Sequence, residues 1–210
     1  MMKLYSSVTS PFVRKVLVVG HELGLADQLE VVPVVLSPTA ADAALNQRNP
    51  LGKIPTLELE DGTMLFDSRV IVTHLLTLSD KGEQLLPRGK KGLLTLRAEA
   101  AADGLLDAGI LSRYETVLRP EQFRWSAWVD GQCDKVERSL RWLEQNVDTS
   151  GPNFDLAQIA TACALGWLQF RKPLNDRSQG ERNMEVIAPK LFSWFESLRS
   201  RPSLAATEPH

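Results

Sequence analysis

Along the first eighty residues the spacing of apolar positions changes period several times. Lys3 to Ser6 reads as a short strand, after which Val13, Val16, Leu17, Gly20 and Leu23 share one face of a helix that opens at Pro11 and is stopped by Gly24. Leu29 to Leu36 is a β-branched run interrupted by Pro33, which suits an edge strand or a strand that ends there. Thr39 to Asn49 is polar and alanine-rich and predicts a short helix or an ordered loop. Thr56 to Glu60 and Thr63 to Phe66 flank Asp61-Gly62, a pair favoured by tight hairpins because both residues can adopt positive φ. Ser68 to Leu78 predicts a helix whose Val70, Ile71, His74, Leu75 and Leu78 form one stripe. The predicted order is β-α-β-α-β-β-α.

The pattern then changes. SDKGEQLLPRGKKG, residues 79–92, is rich in glycine and charge and reads as a linker. From Leu93 nearly to the end only helical periodicity appears, over Leu93 to Leu118, Pro120 to Val147, Asp155 to Phe170 and about Ala188 to Arg199. Residues 1–78 therefore form an α/β domain and 93–210 an all-helical bundle. In FDLAQIATACALGW, Asp155 caps the helix, Gln158 is its capping-box partner and Phe154 staples onto Ile159. Ile159, Ala160, Cys163, Ala164 and Trp167 then form a buried stripe.

Composition narrows the function. The chain has 210 residues, 43% hydrophobic and 24% charged, enough for one large domain or two modest ones. A net charge of -2 offers no electrostatic footprint for nucleic acid or an anionic membrane. The N-terminus lacks a signal-peptide pattern, and no run approaches the roughly 18 apolar residues that span a bilayer, so a cytoplasmic protein is expected. Cys133 and Cys163 lie far apart without a CxxC and are expected to be buried free thiols, with no metal site.

Candidate chemistry gathers at helix starts. Pro11 suits the first helical position, so Ser10 falls at the N-cap. Asp67-Ser68 follows a strand and opens a helix, where either residue can cap. Lys53 reads locally as a surface lysine, and the Ile54–Pro55 bond by base rate as trans, since only about 5 to 6% of such bonds are cis. His21 and His74 have no metal-ligand companions, and the tryptophans at 125, 128, 142, 167 and 194 are assigned to the core.

SPFVRK at 10–15, NPLGKIPTLE at 49–58, DS at 67–68 and the FDLAQIATACAL helix start at 154, in that order and spacing, resemble the glutathione S-transferase family over nearly the whole chain. The resemblance implies a thioredoxin-like N-terminal domain that holds glutathione and a helical domain that supplies most of the pocket for an electrophilic second substrate. The SPF triplet matches the family's serine-type branch, which makes Ser10 the catalytic hydroxyl and places Phe12 beside the tripeptide. Thr9 and Ser7 are nearby alternatives, and Tyr5 a weaker one inside the strand. The resemblance also makes Pro55 cis, so that the main chain of Ile54 pairs with the cysteinyl part of glutathione. It gives Lys53 the glycine carboxylate, Asp67 the ammonium and Ser68 the α-carboxylate of the γ-glutamyl end. The acid at 67 is shorter than the Glu or Gln many members carry, and the cap at 155 exchanges the family's usual partners. Ile110, Leu111 and Tyr114, with Arg113 as a polar guide, are the positions assigned to the second-substrate pocket. The implied activity is glutathione transfer to a small hydrophobic electrophile by a homodimer. The alternatives are glutathione-dependent isomerisation, dehalogenation or peroxide reduction, or a non-catalytic glutathione-binding regulator.

Overall fold

The computed structural model describes residues 1–40, 42–180 and 182–210. The chain divides into two compact units, one of residues 1–88 and 201–210 and the other of residues 89–200. The linker expected over residues 79–92 holds a short helix, and residues 201–210, expected with the helical bundle, group with the first unit.

The first unit contains β1 (Met2–Ser6), α1 (Pro11–Leu23), β2 (Leu29–Pro33), α2 (Ala43–Arg48), β3 (Thr56–Glu58), β4 (Met64–Leu65), α3 (Ser68–Thr77) and α4 (Gly82–Leu85). The order matches the expected β-α-β-α-β-β-α. Its sheet runs β2-β1-β3-β4, with β1 parallel to β2 and antiparallel to β3, so the strand broken by Pro33 does lie at an edge. Short helix α2 is capped by Asp42, whose carboxylate accepts from the Leu45 amide at 2.9 Å; Ala41, within that predicted segment, lies outside the described residues.

Two local expectations change. The hairpin keeps Asp61 at negative φ; Gly62 alone takes φ 84°, its amide donating to Leu59 O at 3.0 Å. The Asp61 carboxylate instead accepts from the Thr63 amide at 2.9 Å, so this is a four-residue turn closed by a left-handed glycine and not a two-residue loop. On α3 the buried face is Ser68, Ile71, Val72 and Leu75, while Val70 and Leu78 are exposed. Spacing by 3, 4 and 7 describes both stripes equally well, and only packing against α1 selects the observed one.

The C-terminal segment carries α10 (Pro202–Ala205), which returns to α1. Arg201 donates to both oxygens of Glu22, at 2.8 and 2.6 Å, and Ser203 adds its hydroxyl. The buried guanidinium of Arg14 reaches Leu204 O at 3.0 Å. The arginine of the SPFVRK motif thus anchors the tail.

The second unit is helical: α5 (Gly89–Arg113), a π-helical turn at Tyr114–Leu118, α6 (Ser126–Asn146), α7 (Leu156–Arg171), α8 (Met184–Ile187) and α9 (Pro189–Ser197). Every residue of α7 from Leu156 to Leu168 is buried, so α7 is the central helix of this unit. The Asp155–Gln158 capping box closes as read, with the Asp155 amide donating to Gln158 Oε1 at 2.7 Å. Cys133 and Cys163 are buried and form no disulfide, and burial pushes the Cys133 thiol up. Trp167 and Trp194 are core, but Trp125 and Trp128 are 65% and 41% exposed. They precede and open α6, which begins six residues later than the periodicity indicated, and burial on that helix starts at Val129.

Candidate active site

Strand register alone draws the three N-terminal motifs to one end of the sheet. Tyr5 pairs with Thr56, so continuing the antiparallel ladder sets Ser6 and Ser7 opposite Pro55 and Ile54. Leu57 pairs with Leu65, so the same extension sets Pro55 opposite Asp67. With neighbouring strands about 4.8 Å apart, the backbone at Ile54 runs between the segment leading to Ser10 and the start of α3. Helices α1 and α3 pack together, and both N-termini open at this end. Each contributes partial positive charge and unpaired amides, a natural setting for anionic groups.

Ser10 is the N-cap of α1, half-buried, accepting from the Val13 amide at 3.3 Å. That long contact uses one lone pair of the hydroxyl and leaves its proton uncommitted. The neighbouring hydroxyls differ. Ser7 Oγ and Thr9 Oγ1 lie 3.3 Å apart and bond to each other. Tyr5 donates its phenol to Glu58 at 2.6 Å, beneath the Arg48 guanidinium 5.0 Å from the ring centroid. Burial first, then the bond to Glu58, raises the Tyr5 pKa, so this phenol is the poorer proton donor. Phe12 sits half-buried on the first turn of α1.

The 49–56 loop is built around Asn49, a buried residue that local reasoning left without a role. Its amide donates to Lys53 O at 2.9 Å and Thr56 Oγ1 at 3.0 Å, and its carbonyl oxygen accepts from the Leu51 amide at 3.0 Å. Gly52 adopts φ 58°, and a Cβ there would meet Asn46 Oδ1 at 2.6 Å. Only glycine fits that turn. The Ile54–Pro55 bond is cis, against the base rate and as the resemblance implies. Pro55 is buried, Ile54 half-buried and the Lys53 side chain exposed. The signal for Asn49 was present: an asparagine before Pro-x-Gly can hold a turn through its side-chain amide.

Asp67 caps α3, its Oδ1 accepting from the Arg69 amide at 2.9 Å, while the exposed carboxylate keeps further acceptor capacity. Ser68 is 2% exposed in the first turn. Of the second-substrate positions, Leu111 and Tyr114 are exposed and Ile110 and Arg113 half-buried on the helical unit. Among the described residues no His, Cys, Asp and Glu cluster could hold a metal. No described helix is long and apolar enough to cross a membrane.

The site brings two helix N-termini, the Ile54 main chain and an acidic cap to one end of the sheet, a set suited to anionic groups beside a cationic one. Comparison with known proteins gives the family. Residues 9–78 match the glutathione S-transferase N-terminal domain and residues 126–197 the C-terminal domain. An uncharacterized GST-like protein of Escherichia coli, YibF, is 37% identical over 99% of this chain and 98% of its own. The structure of a glutathione transferase family member from Pseudomonas fluorescens Pf-5 with bound glutathione is 40% identical, covers 100% of both chains and has a TM-score of 0.92. A second such structure, with bound S-(propanoic acid)-glutathione, is 37% identical over 100% of both chains with a TM-score of 0.87. Taken with the two-unit fold, these matches show that the chain belongs to the glutathione S-transferase family.

Proposed function

We propose that this protein is a serine-type glutathione transferase in which Ser10 stabilises the thiolate of bound glutathione. The carrying observation is the Ser10 hydroxyl at the mouth of α1, which accepts from the Val13 amide and makes no donor bond of its own among the described residues. A thiol of pKa about 8.5 is only a few per cent ionised at neutral pH, and lowering it by about two units needs roughly 2.7 kcal/mol of selective anion stabilisation. A hydrogen bond to a charged acceptor contributes about 1.5 to 3 kcal/mol. The helix N-terminus adds about 0.3 to 1 kcal/mol. Together they suffice without a general base.

The remaining residues hold the tripeptide. The Ile54 main chain, presented by Pro55, pairs with the cysteinyl unit as an added strand would. Asp67 takes the ammonium, while Ser68 and the first amides of α3 take the α-carboxylate. Lys53 neutralises the glycine carboxylate, and Phe12 walls the site. The sulfur lone pair then forms the C–S bond while the electrophile releases its leaving group with the bonding electrons, or accepts a proton at the adjacent carbon in an addition. Neither cysteine favours thiol–disulfide exchange, since both are buried in the helical unit and the first unit carries hydroxyls instead. The ligand of the second Pseudomonas fluorescens structure carries a carboxylic acid on the sulfur substituent, and we infer that the second substrate here approaches sulfur in the same way. Membership of the family is the support for a homodimer.

Conjugation of an aryl halide by wild type and Ser10→Ala tests the assignment. The account expects a fall of about 10- to 100-fold in kcat/KM, the equivalent of one to two pKa units of lost thiolate stabilisation. Equal rates would leave Ser10 as a cap alone.

A further inference from the structure

Helix α2 is too short to hold itself. It spans six residues, where an isolated helix needs roughly 12 to 15 in water, and Leu45 is the only one of the six that is buried. Its last turn is secured by Arg48, which is half-buried. One guanidinium nitrogen donates to Ala44 O at 2.8 Å, a carbonyl near the open end of the helix. The guanidinium carbon stands 5.0 Å from the centre of the Tyr5 ring, and Nε lies 4.0 Å from Glu58 Oε2. The Tyr5 phenol closes the group by donating to that same oxygen at 2.6 Å. The ring face attracts the cation, and the carboxylate answers its charge.

Strand register explains why these side chains meet. Tyr5 pairs with Thr56 and Lys3 with Glu58, so Tyr5, Thr56 and Glu58 share one face of the sheet, with Glu58 diagonal to Tyr5. Arg48 reaches Tyr5 and Glu58 on that face, and the next residue, Asn49, donates to Thr56 Oγ1 at 3.0 Å. Two consecutive residues thus fasten the end of α2 to β1 and β3. Their tasks differ. Asn49 ties the 49–56 loop together from within, whereas Arg48 fixes the helix from which that loop departs. The loop in turn abuts α2, since a Cβ at Gly52 would meet Asn46 Oδ1 at 2.6 Å. Lys53 and Ile54 follow directly on that contact.

We propose that Arg48 is a positioning residue for glutathione: by clamping α2 onto Tyr5 and Glu58 it sets the 49–55 loop before the ligand arrives. The clamp rests on the reading of the Ile54 main chain as the edge that pairs with the tripeptide. A loop already in its bound conformation loses little freedom on binding, so the clamp acts on affinity. It leaves the sulfur chemistry to Ser10.

Steady-state conjugation of an aryl halide at varied glutathione, together with calorimetric titration of glutathione, tests the clamp in the full chain. Arg48→Met keeps the apolar stem and loses the charge; it should raise both KM and Kd for glutathione about 5- to 10-fold, with kcat at saturating glutathione within about twofold of wild type. Glu58→Gln should raise KM at least about threefold, and the double variant should be no worse than Arg48→Met, because the two residues act as one group. Arg48→Lys should recover part of the loss. Should Arg48→Met not fold, Arg48→Lys and Glu58→Gln carry the same test. Arg201→Met loosens the tail of the same unit away from α2 and should leave KM unchanged. An unchanged KM in Arg48→Met, a fall in kcat alone, or an equal rise of KM in Arg201→Met would overturn the clamp while leaving the transferase reading intact. Failure of wild type to bind glutathione would overturn that reading and the clamp with it.

Discussion

Replacing Arg201 with methionine removes the guanidinium that fastens the C-terminal tail to α1. The arginine donates to both Glu22 oxygens, with side-chain exposures of 31% and 16% for Arg201 and Glu22. An exposed ion pair contributes about 0.2 to 1 kcal/mol. Breaking a fully buried one costs about 3 to 5 kcal/mol, because the remaining charge stays desolvated. This pair lies between those limits, and the Ser203 hydroxyl remains on Glu22 in the variant, so the expected loss is about 2 kcal/mol. In a chain of this size that lowers the melting temperature by about 4 to 8 °C. The pH dependence is signed. Burial raises the Glu22 pKa, but the bonds from Arg201 and Ser203 outweigh it and leave the carboxyl below its ordinary 4.5. A depressed folded-state pKa contributes stability that is complete above the unfolded value and is lost as pH falls through the folded one. Denaturant midpoints of wild type and Arg201→Met should therefore differ by a constant amount from neutral pH down to about 5 and converge below 4.5. A loss under about 0.5 kcal/mol at neutral pH, or a gap that persists undiminished in acid, would refute the strap.

Two further perturbations address the site. Asn49→Ala removes the bonds that hold the Lys53 carbonyl, Thr56 and the Leu51 amide, so glutathione should bind about 10-fold or more weakly and stability fall by about 2 to 3 kcal/mol; calorimetric titration and a denaturant curve check both. Tyr5→Phe should leave conjugation within about threefold of wild type, since the phenol serves Glu58; steady-state kinetics showing a loss as large as that of Ser10→Ala would move the catalytic hydroxyl into the strand.

What the sequence made legible was local. Pro11 after Ser10, Asp155 with Gln158 and the alternation of strand and helix periods each depend on neighbours a few residues apart, and each appears in the fold. Contacts between distant segments left no such mark. Arg201 and Glu22 are 179 residues apart, and nothing periodic links them. The buried face of α3 depended on which stripe α1 covers, and Trp125 and Trp128 on where α6 begins. Asn49 sat within a quoted motif, yet its burial and its three bonds became apparent only once the loop closed around it.

Ultraviolet titration of the sulfur in the glutathione complex tests the central claim most directly. Thiolate absorbance in wild type should appear about two pH units below the value near 8.5 for the free thiol, and in Ser10→Ala should move back by at least about one unit. A bound thiol that ionises as it does in water, or a depressed pKa that Ser10→Ala leaves in place, would contradict the account.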